Sequence, residues 1–519
     1  MIIAKLINDR WISLEGNPYE IERVGGAFTK KVNSWYIIKK KNPNANVDET
    51  FMAAGGIIPL GLWVELINVC KIMKIELVFS EDFEQRITQN ISYEEFRSYV
   101  DELFAKSDKK PKDYQIEGAY RMIKYKNCCV EISTSGGKTL ISYIVFRFMI
   151  DVLKMKHILF VTPKTELTVQ SADKFILYDK WNGKDSSDWS YSEIHADAKK
   201  QKTYDENIVF GNYQSLNKKS KDFFGKFDVA IIDEGHHSKN NSIRNILSNC
   251  CNAVYKIGMT GTFPPADSYD SYVIQANIGP LVYRFTSYEL INEEKFATPV
   301  HVNMIALKYL DDDMLRKVWG LRNFDKTEDP AVGSKILNKE KDIAKESDLR
   351  MNFIVRMIGK TTNNTLVLFS DVQDEYGRKI YNNVKERTMK RVFYIDGGTP
   401  TRTRNNMIRE MENDVTGNTV IVSSIRCFSE GIDIGNMWNI FLVETTKSEN
   451  TIAQILGRGM RRFEGKEKTM MIDFVDDFRY GNDIKYHENY LWKHGMQRYD
   501  IYTRRGFPCN FLEVDLLKG

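Results

Sequence analysis

The chain has 519 residues, of which 42% are hydrophobic and 28% are charged, and its formal net charge at pH 7 is +4. At roughly 100–200 residues per domain, this length predicts about three or four domains. The small net charge excludes a protein that binds nucleic acid through a uniformly cationic surface, so any such binding must come from local basic patches.

The seven cysteines lack the spacing of a zinc site, which favours an intracellular protein with reduced thiols and no structural metal. The first residues, MIIAKLINDRWISLEG, interrupt their apolar run with charge too early for a signal peptide. No stretch approaches the roughly 20 apolar residues of a membrane helix. The composition therefore predicts a soluble protein.

Residues 1–108 predict a small α/β domain that contains a basic segment, TKKVNSWYIIKKK, at positions 29–41. The segment has five lysines and no acidic residue. Lys39 and Lys40 are candidates for contacts with nucleic-acid phosphates, and Trp35 is a candidate for stacking on a base. The alternative is an exposed basic strand with Trp35 in the core of the small domain.

Two larger domains follow, in which short apolar strands alternate with helical patterns. Residues 109–300 contain HILFVTP, NIVFGN, FDVAIIDEG and YKIGMTGT, and residues 301–480 contain TLVLFS, RVFYIDG, TVIVSS, NIFLVE and TMMIDFV. This alternation predicts an α/β fold with two parallel sheets and crossover helices. The charge-dense stretch 306–362 predicts helical connections within the second domain, and residues 481–519 predict a short helical tail.

The segment STSGGKT, residues 133–139, follows a predicted strand and precedes a predicted helix. GKT matches the end of the P-loop pattern, but Ile132 occupies the position of the pattern's first glycine. In such a loop the backbone amides of residues 135–138 hold phosphates at the start of the helix, while Lys138 contacts the β and γ phosphates and Thr139 binds magnesium. GKT alone does not distinguish a phosphate-binding loop from an ordinary turn, so the interpretation depends on the neighbouring motifs.

The apolar strand FDVAIIDEG ends in two adjacent acids, Asp233 and Glu234, at the edge where open α/β sheets bind their ligands. One carboxylate can hold a magnesium ion, usually through water, while the other polarises an attacking water. A strand of this kind downstream of GKT strengthens the prediction of a nucleotide site.

In the second sheet domain, QILGRGMRR places Gln454, Arg458 and Arg461 on one predicted helix. Arg458 and Arg461 are three residues apart and therefore share a face. Such pairs are usually surface charge, but an arginine that faces a triphosphate is worth about 10³–10⁵ in rate. The combination with the loop and the two acids favours the catalytic role.

Nine segments in chain order resemble the motif series of the superfamily two helicases: DYQ, STSGGKT, VTPKTEL, GNYQSL, DEGH, TGT, LVLFS, SSIRCFSEGID and QILGRGMRR. The resemblance covers residues 111–475. Ser135 departs from the glycine common in the first of the phosphate motifs, and TGT at 260–262 stands where many members have SAT. A small side chain at Ser135 still permits close approach of a phosphate.

The resemblance implies a RecA-like fold for both sheet domains and a role for each motif. The implied nucleotide-binding residues, with Gln115 at the adenine, are Gln115, Ser135, Gly136, Gly137, Lys138, Thr139, Gly431 and Asp433. The implied catalytic residues are Lys138, Glu234, Arg458 and Arg461. The implied metal ligands are Thr139 and Asp233. The residues implied to couple the ATP state to domain movement are His236, Thr260, Thr262 and Gln454.

Contacts with the nucleic-acid strand are implied on both sheet domains. They fall on Pro163, Lys164, Gln214 and Ser215 in the first domain and on Ser370, Arg404 and Ser424 in the second. Such contacts go mainly to phosphate and sugar, which gives little sequence preference. A turn, surface or capping role is the alternative for each of them, and also for the coupling threonines and Asp433.

The flanks IIPLGLWVELINVCKIMKIELVF and KYHENYLWKHGMQRYDIYTRRGFPCNFLEVDL resemble those of the bacteriophage UvsW-like helicases. This resemblance implies an enzyme that uses ATP and Mg²⁺, has a small N-terminal DNA-binding domain, and remodels branched or forked DNA by branch migration, fork regression, unwinding and strand annealing. It also implies a monomer on DNA in the cytoplasm of an infected bacterium, with phage recombination or single-strand-binding proteins as partners and no membrane.

Several alternatives stay open at this point. The motor motifs fit an RNA helicase of the same superfamily, a duplex-translocating subunit of a restriction complex, or a nucleic-acid clamp with an inactive ATP site. The tail is also basic, with Arg498, Arg504 and Arg505. For these arginines, a helical bracket packed on the motor is the alternative to contact with nucleic acid.

Overall fold

The structure is a computed structural model of the chain. It describes residues 1–33, 35, 38–39, 42–184, 188–196, 198, 204–293, 296–310, 315, 318, 320, 330–370, 375–429, 434–444, 446, 448–479 and 488–516. Of the predicted site residues, Lys40, Gly431 and Asp433 lie outside the described residues. The chain divides into two compact units, Met1–Phe285 and Thr286–Gly519.

The first unit begins with a small α/β domain. Its strands are β1 (Ile2–Asn8), β2 (Trp11–Gly16), β3 (Thr29–Lys31), β4 (Asp48–Thr50), β5 (Ile57–Pro59) and β6 (Leu77–Phe79). Its helices are α1 (Pro18–Ala27), α2 (Trp63–Met73), α3 (Phe83–Ile87) and α4 (Tyr93–Leu103). Four strands form a sheet in the order β5-β2-β1-β6, and β3 pairs with β4. The sequence KLINDRWISLE is an antiparallel hairpin, because Asp9 and Arg10 form the turn between β1 and β2.

The rest of the first unit is an α/β layer structure. Its strands are β7 (Asn127–Ile132), β8 (Ile158–Thr162), β9 (Tyr191–Ile194), β10 (Ile208–Asn212), β11 (Val229–Asp233), β12 (Tyr255–Thr260) and β13 (Leu281–Phe285). Its helices are α5 (Asp113–Lys124), α6 (Lys138–Asp151), α7 (Thr165–Trp181), α8 (Tyr213–Leu216), α9 (Lys221–Phe224), α10 (Asn241–Asn249) and α11 (Tyr269–Asn277). The described strands form one parallel sheet in the order β13-β7-β12-β11-β8-β10-β9.

The second unit contains another parallel sheet. Its strands are β14 (Val300–Tyr309), β15 (Thr365–Phe369), β16 (Arg391–Ile395), β17 (Thr419–Ser424), β18 (Asn439–Leu442), β19 (Thr469–Asp477) and β20 (Cys509–Leu516). Its described helices are α12 (Ser287–Asn292), α13 (Pro330–Glu346), α14 (Asp348–Gly359), α15 (Tyr376–Arg387), α16 (Thr401–Glu412), α17 (Ile425–Ser429), α18 (Glu449–Gly459) and α19 (Tyr490–Arg504). The strand order is β16-β17-β15-β18-β19-β14-β20.

The central strands of both sheets are buried on both faces. Every residue of β8, β10 and β15 is buried, which is why these strands read in the sequence as continuous apolar runs rather than as alternating ones. The predicted α/β class with two parallel sheets in tandem is confirmed, and so are the nine strands predicted from their apolar runs. None of the described helices is long and apolar enough to cross a membrane.

The C-terminal tail contributes a strand as well as a helix. β20 pairs in parallel with β14 and becomes the outermost strand of the second sheet. Helix α19 packs against β19, where Arg498 is fully buried and donates to both carboxylate oxygens of Asp473 at 2.8 Å. The Tyr502 hydroxyl donates to the same carboxylate at 2.9 Å. These bonds support the bracket interpretation of the tail.

Candidate nucleotide and nucleic-acid sites

Residues 133–137 form a tight loop between β7 and α6, at the carboxyl edge of the first sheet. Ser135 and Gly137 have positive φ angles of 72° and 82°, a region in which side chains are strained and which glycine adopts freely. At Gly136 a side chain would lie 2.8 Å from Ile132 Cγ2. Backbone geometry therefore explains both glycines, and it also explains why the family commonly has glycine where this chain has Ser135.

Two side chains of α5 hold this loop in place. Gln115 Nε2 and the Tyr114 hydroxyl both donate to the carbonyl oxygen of Gly136, each at 3.0 Å. The backbone N–H of Lys112 donates to Gln115 Oε1 at 2.9 Å, and the Tyr114 ring stacks on Phe285 with centroids 4.0 Å apart. The side chain of Gln115 thus supports the loop, and its contact with adenine stays a prediction. Sequence analysis missed Tyr114, which only its place beside Gln115 could have indicated.

Lys138, the first residue of α6, meets the acidic end of β11. Its Nζ lies 3.4 Å from Glu234 Oε1. A side chain at Gly261 would come within 3.4 Å of the same nitrogen, so the lysine also approaches the turn after β12 closely. Because β7, β12 and β11 are neighbours in the sheet, the segments GKT, TGT and DEGH meet at one edge although they are far apart in the chain.

The pKa values of the two adjacent acids shift in opposite directions. Burial and the negative charge of Glu234 raise the pKa of Asp233 to about 6. Burial also acts to raise the pKa of Glu234, but the positive charge of Lys138 acts in the opposite direction, and the pKa is lowered. Glu234 is therefore ionised at neutral pH, as a residue that polarises water must be.

A hydrogen-bond network links this carboxylate to the turn after β12. His236 Nδ1 lies 2.9 Å from Thr260 Oγ1 and 3.4 Å from Glu234 Oε2. The Thr260 hydroxyl donates to the Thr262 carbonyl oxygen at 2.8 Å, so the histidine ring must donate from Nδ1. Burial lowers the pKa of His236 to about 4, which keeps the ring neutral near pH 7. The structure thus brings three of the four predicted coupling residues into one network.

The oxygen atoms at this edge fit a magnesium ion. Asp233 supplies a carboxylate and Thr139 a hydroxyl, which are hard oxygen ligands of the kind that Mg²⁺ prefers. Among the described residues, no group of three or more His, Cys, Asp or Glu side chains is placed to hold a metal on its own. Mg²⁺ is usually held by one or two carboxylates together with substrate phosphates. The donor set therefore fits an ion that binds with ATP.

The strand contacts predicted for the first unit lie side by side. They are Pro163, Lys164, Gln214 and Ser215. The first two follow β8 and the last two lie in α8, directly after β10, and β8 and β10 are adjacent parallel strands. Asn212 joins the two segments, because its Nδ2 donates to Thr165 Oγ1 and its Oδ1 accepts from the Ser215 backbone N–H, both at 2.8 Å. Sequence analysis missed this role of Asn212, which requires the pairing of the two strands.

The contacts predicted for the second unit also share a sheet edge. Ser370 follows β15, Ser424 ends β17, and Arg404 lies on α16 after β16, and these three strands are neighbours. Ser424 is only 1% exposed, and its hydroxyl accepts a hydrogen bond at 3.4 Å from the backbone N–H of Cys427 in α17. Capping of α17 is thus a visible role for Ser424, and contact with nucleic acid stays a prediction for all three residues.

Helix α18 carries Gln454 and Arg458 but not Arg461. The prediction of a single helix for all three is wrong, because α18 ends at Gly459. Its final carbonyl group accepts hydrogen bonds from side chains outside the helix rather than from a further helical turn. The Arg458 guanidinium lies 5.4 Å from the centre of the Phe428 ring. The structure therefore places the two arginines in a helix end and the turn after it.

The basic segment of the N-terminal domain presents its tryptophan to solvent. Trp35 is 42% exposed, so the alternative that placed it in the core is wrong. Lys31 Nζ lies 4.7 Å from the centre of the Trp35 ring, and Lys39 Nζ donates to the Pro43 carbonyl oxygen at 3.0 Å. Proteins that bind single-stranded nucleic acid commonly combine aromatic rings with basic side chains, and contact with nucleic acid stays a prediction for Trp35 and Lys39.

Comparisons with known proteins place these motifs in a family. Residues 108–265 match the family described as the res subunit of type III restriction enzymes, and residues 349–463 match the helicase conserved C-terminal domain. The ATP-dependent DNA helicase UvsW of Enterobacteria phage T4 is 25% identical over 471 residues, which cover 89% of this chain and 88% of that protein. The DNA 3′-5′ translocase XPB2 of Sulfurisphaera tokodaii is 20% identical over 385 residues, 70% of this chain and 81% of that protein.

Among solved structures, the DNA-bound type ISP restriction-modification enzyme LlaBIII matches with a TM-score of 0.56 and 16% identity. The match covers 86% of this chain and 34% of that enzyme, and it supports the fold. The helicase motifs thus fall on the two matched regions, and the likeness to the T4 relative extends beyond them to 89% of this chain. The chain belongs to the superfamily two helicases, and within them it is a UvsW-like helicase.

Proposed function

We propose that this helicase uses ATP hydrolysis to remodel branched DNA, by branch migration, fork regression, unwinding and strand annealing, in phage recombination, replication and repair. The choice of DNA as substrate is supported by the T4 relative, which is described as an ATP-dependent DNA helicase and aligns with 89% of this chain. We further propose that it acts as a monomer on DNA in the cytoplasm of an infected bacterium, beside phage recombination or single-strand-binding proteins.

The observation that carries the proposal is the meeting of Lys138, Glu234 and His236 at one edge of the first sheet. In this proposal Lys138 binds the terminal phosphates of ATP, and the ionised Glu234 orients and polarises the attacking water. His236 and Thr260 connect that carboxylate to the turn after β12. A change at the phosphates can therefore be passed to the turn that ends in Thr262.

Asp233 and Thr139 would hold the magnesium ion that accompanies ATP. Bound there, the ion supplies charge neutralisation at the β and γ phosphates. For the second unit, we propose that Arg458 and Arg461 stabilise the charge that develops on the transferred phosphoryl group. Strand contacts on both units then let ATP turnover drive movement along the backbone.

The test is steady-state ATP hydrolysis by the full chain without nucleic acid, and with single-stranded DNA, duplex DNA, a four-way DNA junction or matched RNA. Stronger stimulation by the junction than by duplex or RNA is the expected result, and a branch-migration assay on the same junction follows. Stimulation mainly by RNA would instead indicate an RNA helicase. Stimulation by linear duplex without strand separation would indicate a restriction-type translocase.

Two variants separate an active motor from an inactive clamp. Lys138→Ala should abolish turnover, because it removes the positive charge that is proposed to bind the terminal phosphates. Glu234→Gln should retain ATP binding and lose hydrolysis. Lys154→Ala, at an exposed lysine beyond the other end of α6, is the matched control and should behave as the unaltered chain. Near-normal turnover by Glu234→Gln would contradict its role with water.

A further inference from the structure

A buried lysine lies behind the arginine segment of the second unit. Lys466 is 8% exposed, and its Nζ donates to the carbonyl oxygens of Gly459, Arg461 and Gly435 at 3.1, 3.0 and 3.2 Å. Gly459 ends α18, and Arg461 lies in the turn after it. Gly435 belongs to the loop that follows the segment SEGID. One side chain thus bonds to two loops that are separated in the sequence.

The three bonds match the chemistry of an ammonium group, which has three donors and no acceptor. Burial lowers the pKa of Lys466 to about 7, and the charge of Glu412 opposes this change. Three carbonyl acceptors favour the ammonium form, because it alone supplies three N–H groups. The carboxylate of Glu412 accepts hydrogen bonds from the backbone N–H groups of Gly435 and Asn436 at 2.9 and 3.1 Å. The loop is therefore held through its carbonyl and its amide groups at the same time.

The other described side-chain donors at the arginine end bond to one of its carbonyl groups each. Thr298 Oγ1 donates to the Arg461 carbonyl oxygen at 3.1 Å, and Thr469 Oγ1 donates to the Gly459 carbonyl oxygen at 2.7 Å. Among the side-chain donors described at these carbonyls, Lys466 is the one that also reaches Gly435. Removing it would leave the helix end anchored but free to shift relative to the loop.

We propose that Lys466 is a positioning residue, which couples the segment Arg458–Arg461 to the loop after SEGID so that both reach the nucleotide in one fixed arrangement. This inference rests on the proposed function, because it requires the arginines to act on ATP. It assigns Lys466 no contact with ATP or DNA. Its effect on the reaction passes through Arg461, whose peptide group it holds.

The test is the Lys466→Met variant of the full chain, assayed for ATP turnover and for ATP affinity with a fluorescent ATP analogue. We expect kcat for DNA-stimulated hydrolysis to fall about tenfold or more, because misplacement of a catalytic group by 1 Å can reduce a rate about 100-fold. The affinity for the analogue should change less than about twofold, since the arginines act on the transition state rather than on bound ATP. Lys468→Met, which removes an exposed lysine two residues away, is the matched control.

A double-variant cycle distinguishes positioning from general destabilisation. In an Arg461→Ala background, Lys466→Met should lower kcat no further, because the group that it positions is already absent. If the two substitutions lowered kcat independently, so that their effects multiplied, the inference about Lys466 would be wrong. It would also be wrong if Lys466→Met had a normal kcat while Arg461→Ala was strongly impaired. Neither result would contradict the proposed function. Normal kcat for Arg461→Ala would overturn the proposed role of that arginine. If Lys466→Met does not fold, Lys466→Gln is judged by the same criteria.

Discussion

The basic segment of the N-terminal domain and the basic residues of the C-terminal tail use their charges differently. In the N-terminal domain, Lys31 lies over the exposed ring of Trp35, and Lys39 bonds to a neutral carbonyl group. In the C-terminal tail, Arg498 is fully buried and paired with Asp473, and Arg505 pairs with Glu449 at the start of α18. The first flank presents its charge to solvent, whereas the second uses its charge to attach itself to the motor.

This difference teaches that a count of basic residues does not identify a nucleic-acid surface. What separates the flanks is the presence of acidic partners within the fold, since a buried cation is stable only when it is paired and hydrogen-bonded. Asp473 lies on β19, in a different segment of the sequence from the tail. The pairing is therefore not visible in the tail's own sequence.

The largest effect should follow from removing the buried tail charge. Arg498→Met leaves the carboxylate of Asp473 buried without its cation, and breaking such a pair costs roughly 3–5 kcal/mol. We expect a clear loss of thermal and urea stability. Arg504→Met is the matched control, because Arg504 makes exposed ion pairs with Asp500 and Glu449 at 2.8 and 3.7 Å, and exposed pairs are typically worth about 0.2–1 kcal/mol each. If both variants lost the same amount of stability, Arg498 would hold the tail no more strongly than an exposed arginine does.

The next effect should be on DNA affinity and not on stability. Trp35→Ala should weaken binding of single-stranded DNA, since stacking of one base on an aromatic ring is worth roughly 1–3 kcal/mol, or about fivefold to 100-fold in affinity. Trp11→Ala tests the location, because Trp11 is 40% exposed in the same domain but lies on β2, outside the basic segment. Fluorescence anisotropy with labelled DNA measures both. If Trp11→Ala weakened binding as much as Trp35→Ala, the basic segment would not be the binding surface.

A smaller effect should appear in the salt dependence of binding. Lys39→Ala removes one charge that has no carboxylate contact among the described residues, so the slope of log affinity against log salt should fall by about 1. Lys5→Ala is the matched control, because Lys5 pairs with Glu15 at 2.6 Å in the same domain. We expect no change of slope for Lys5→Ala. An unchanged slope for Lys39→Ala would mean that Lys39 makes no contact with DNA phosphates.

Much of the motor could be predicted from the sequence because its signals are local. Continuous apolar runs gave the strands, and the segments GKT and DEGH gave the phosphate edge, since each lies at the end of a single strand. What could not be predicted depends on contacts between distant segments. Tyr114 and Gln115 against Gly136, and Lys466 against Gly435, require the folded chain. The end of α18 was missed for the same reason, because distant side chains replace its next turn.

The carboxylate of Asp270 connects the basic segment to the turn after Glu234. Its substitution should have the smallest effect of those considered. Asp270, at the start of α11, accepts hydrogen bonds from Asn33 Nδ2 at 2.5 Å and from Lys239 Nζ at 2.7 Å. Asn33 lies in the same basic segment as Trp35, and Lys239 ends the 3₁₀ turn that begins directly after Glu234. Polar contacts therefore connect the proposed DNA-binding segment to the turn after Glu234 within the first unit.

Asp270→Asn keeps the shape of this side chain but removes its charge, which weakens both bonds. We expect basal ATP hydrolysis to stay unchanged and the stimulation by DNA to fall about twofold, at the low end of the roughly 0.5–2 kcal/mol typical of coupling residues. The measurement is the ratio of hydrolysis rates with saturating DNA and without DNA. Asp267→Asn, at an exposed aspartate just before the same helix, is the control. A normal ratio for Asp270→Asn would show that Asp270 does not couple the basic segment to ATP hydrolysis. If Asp270→Asn lowers the ratio in the unaltered chain but not in a Trp35→Ala background, Asp270 and Trp35 act in one pathway.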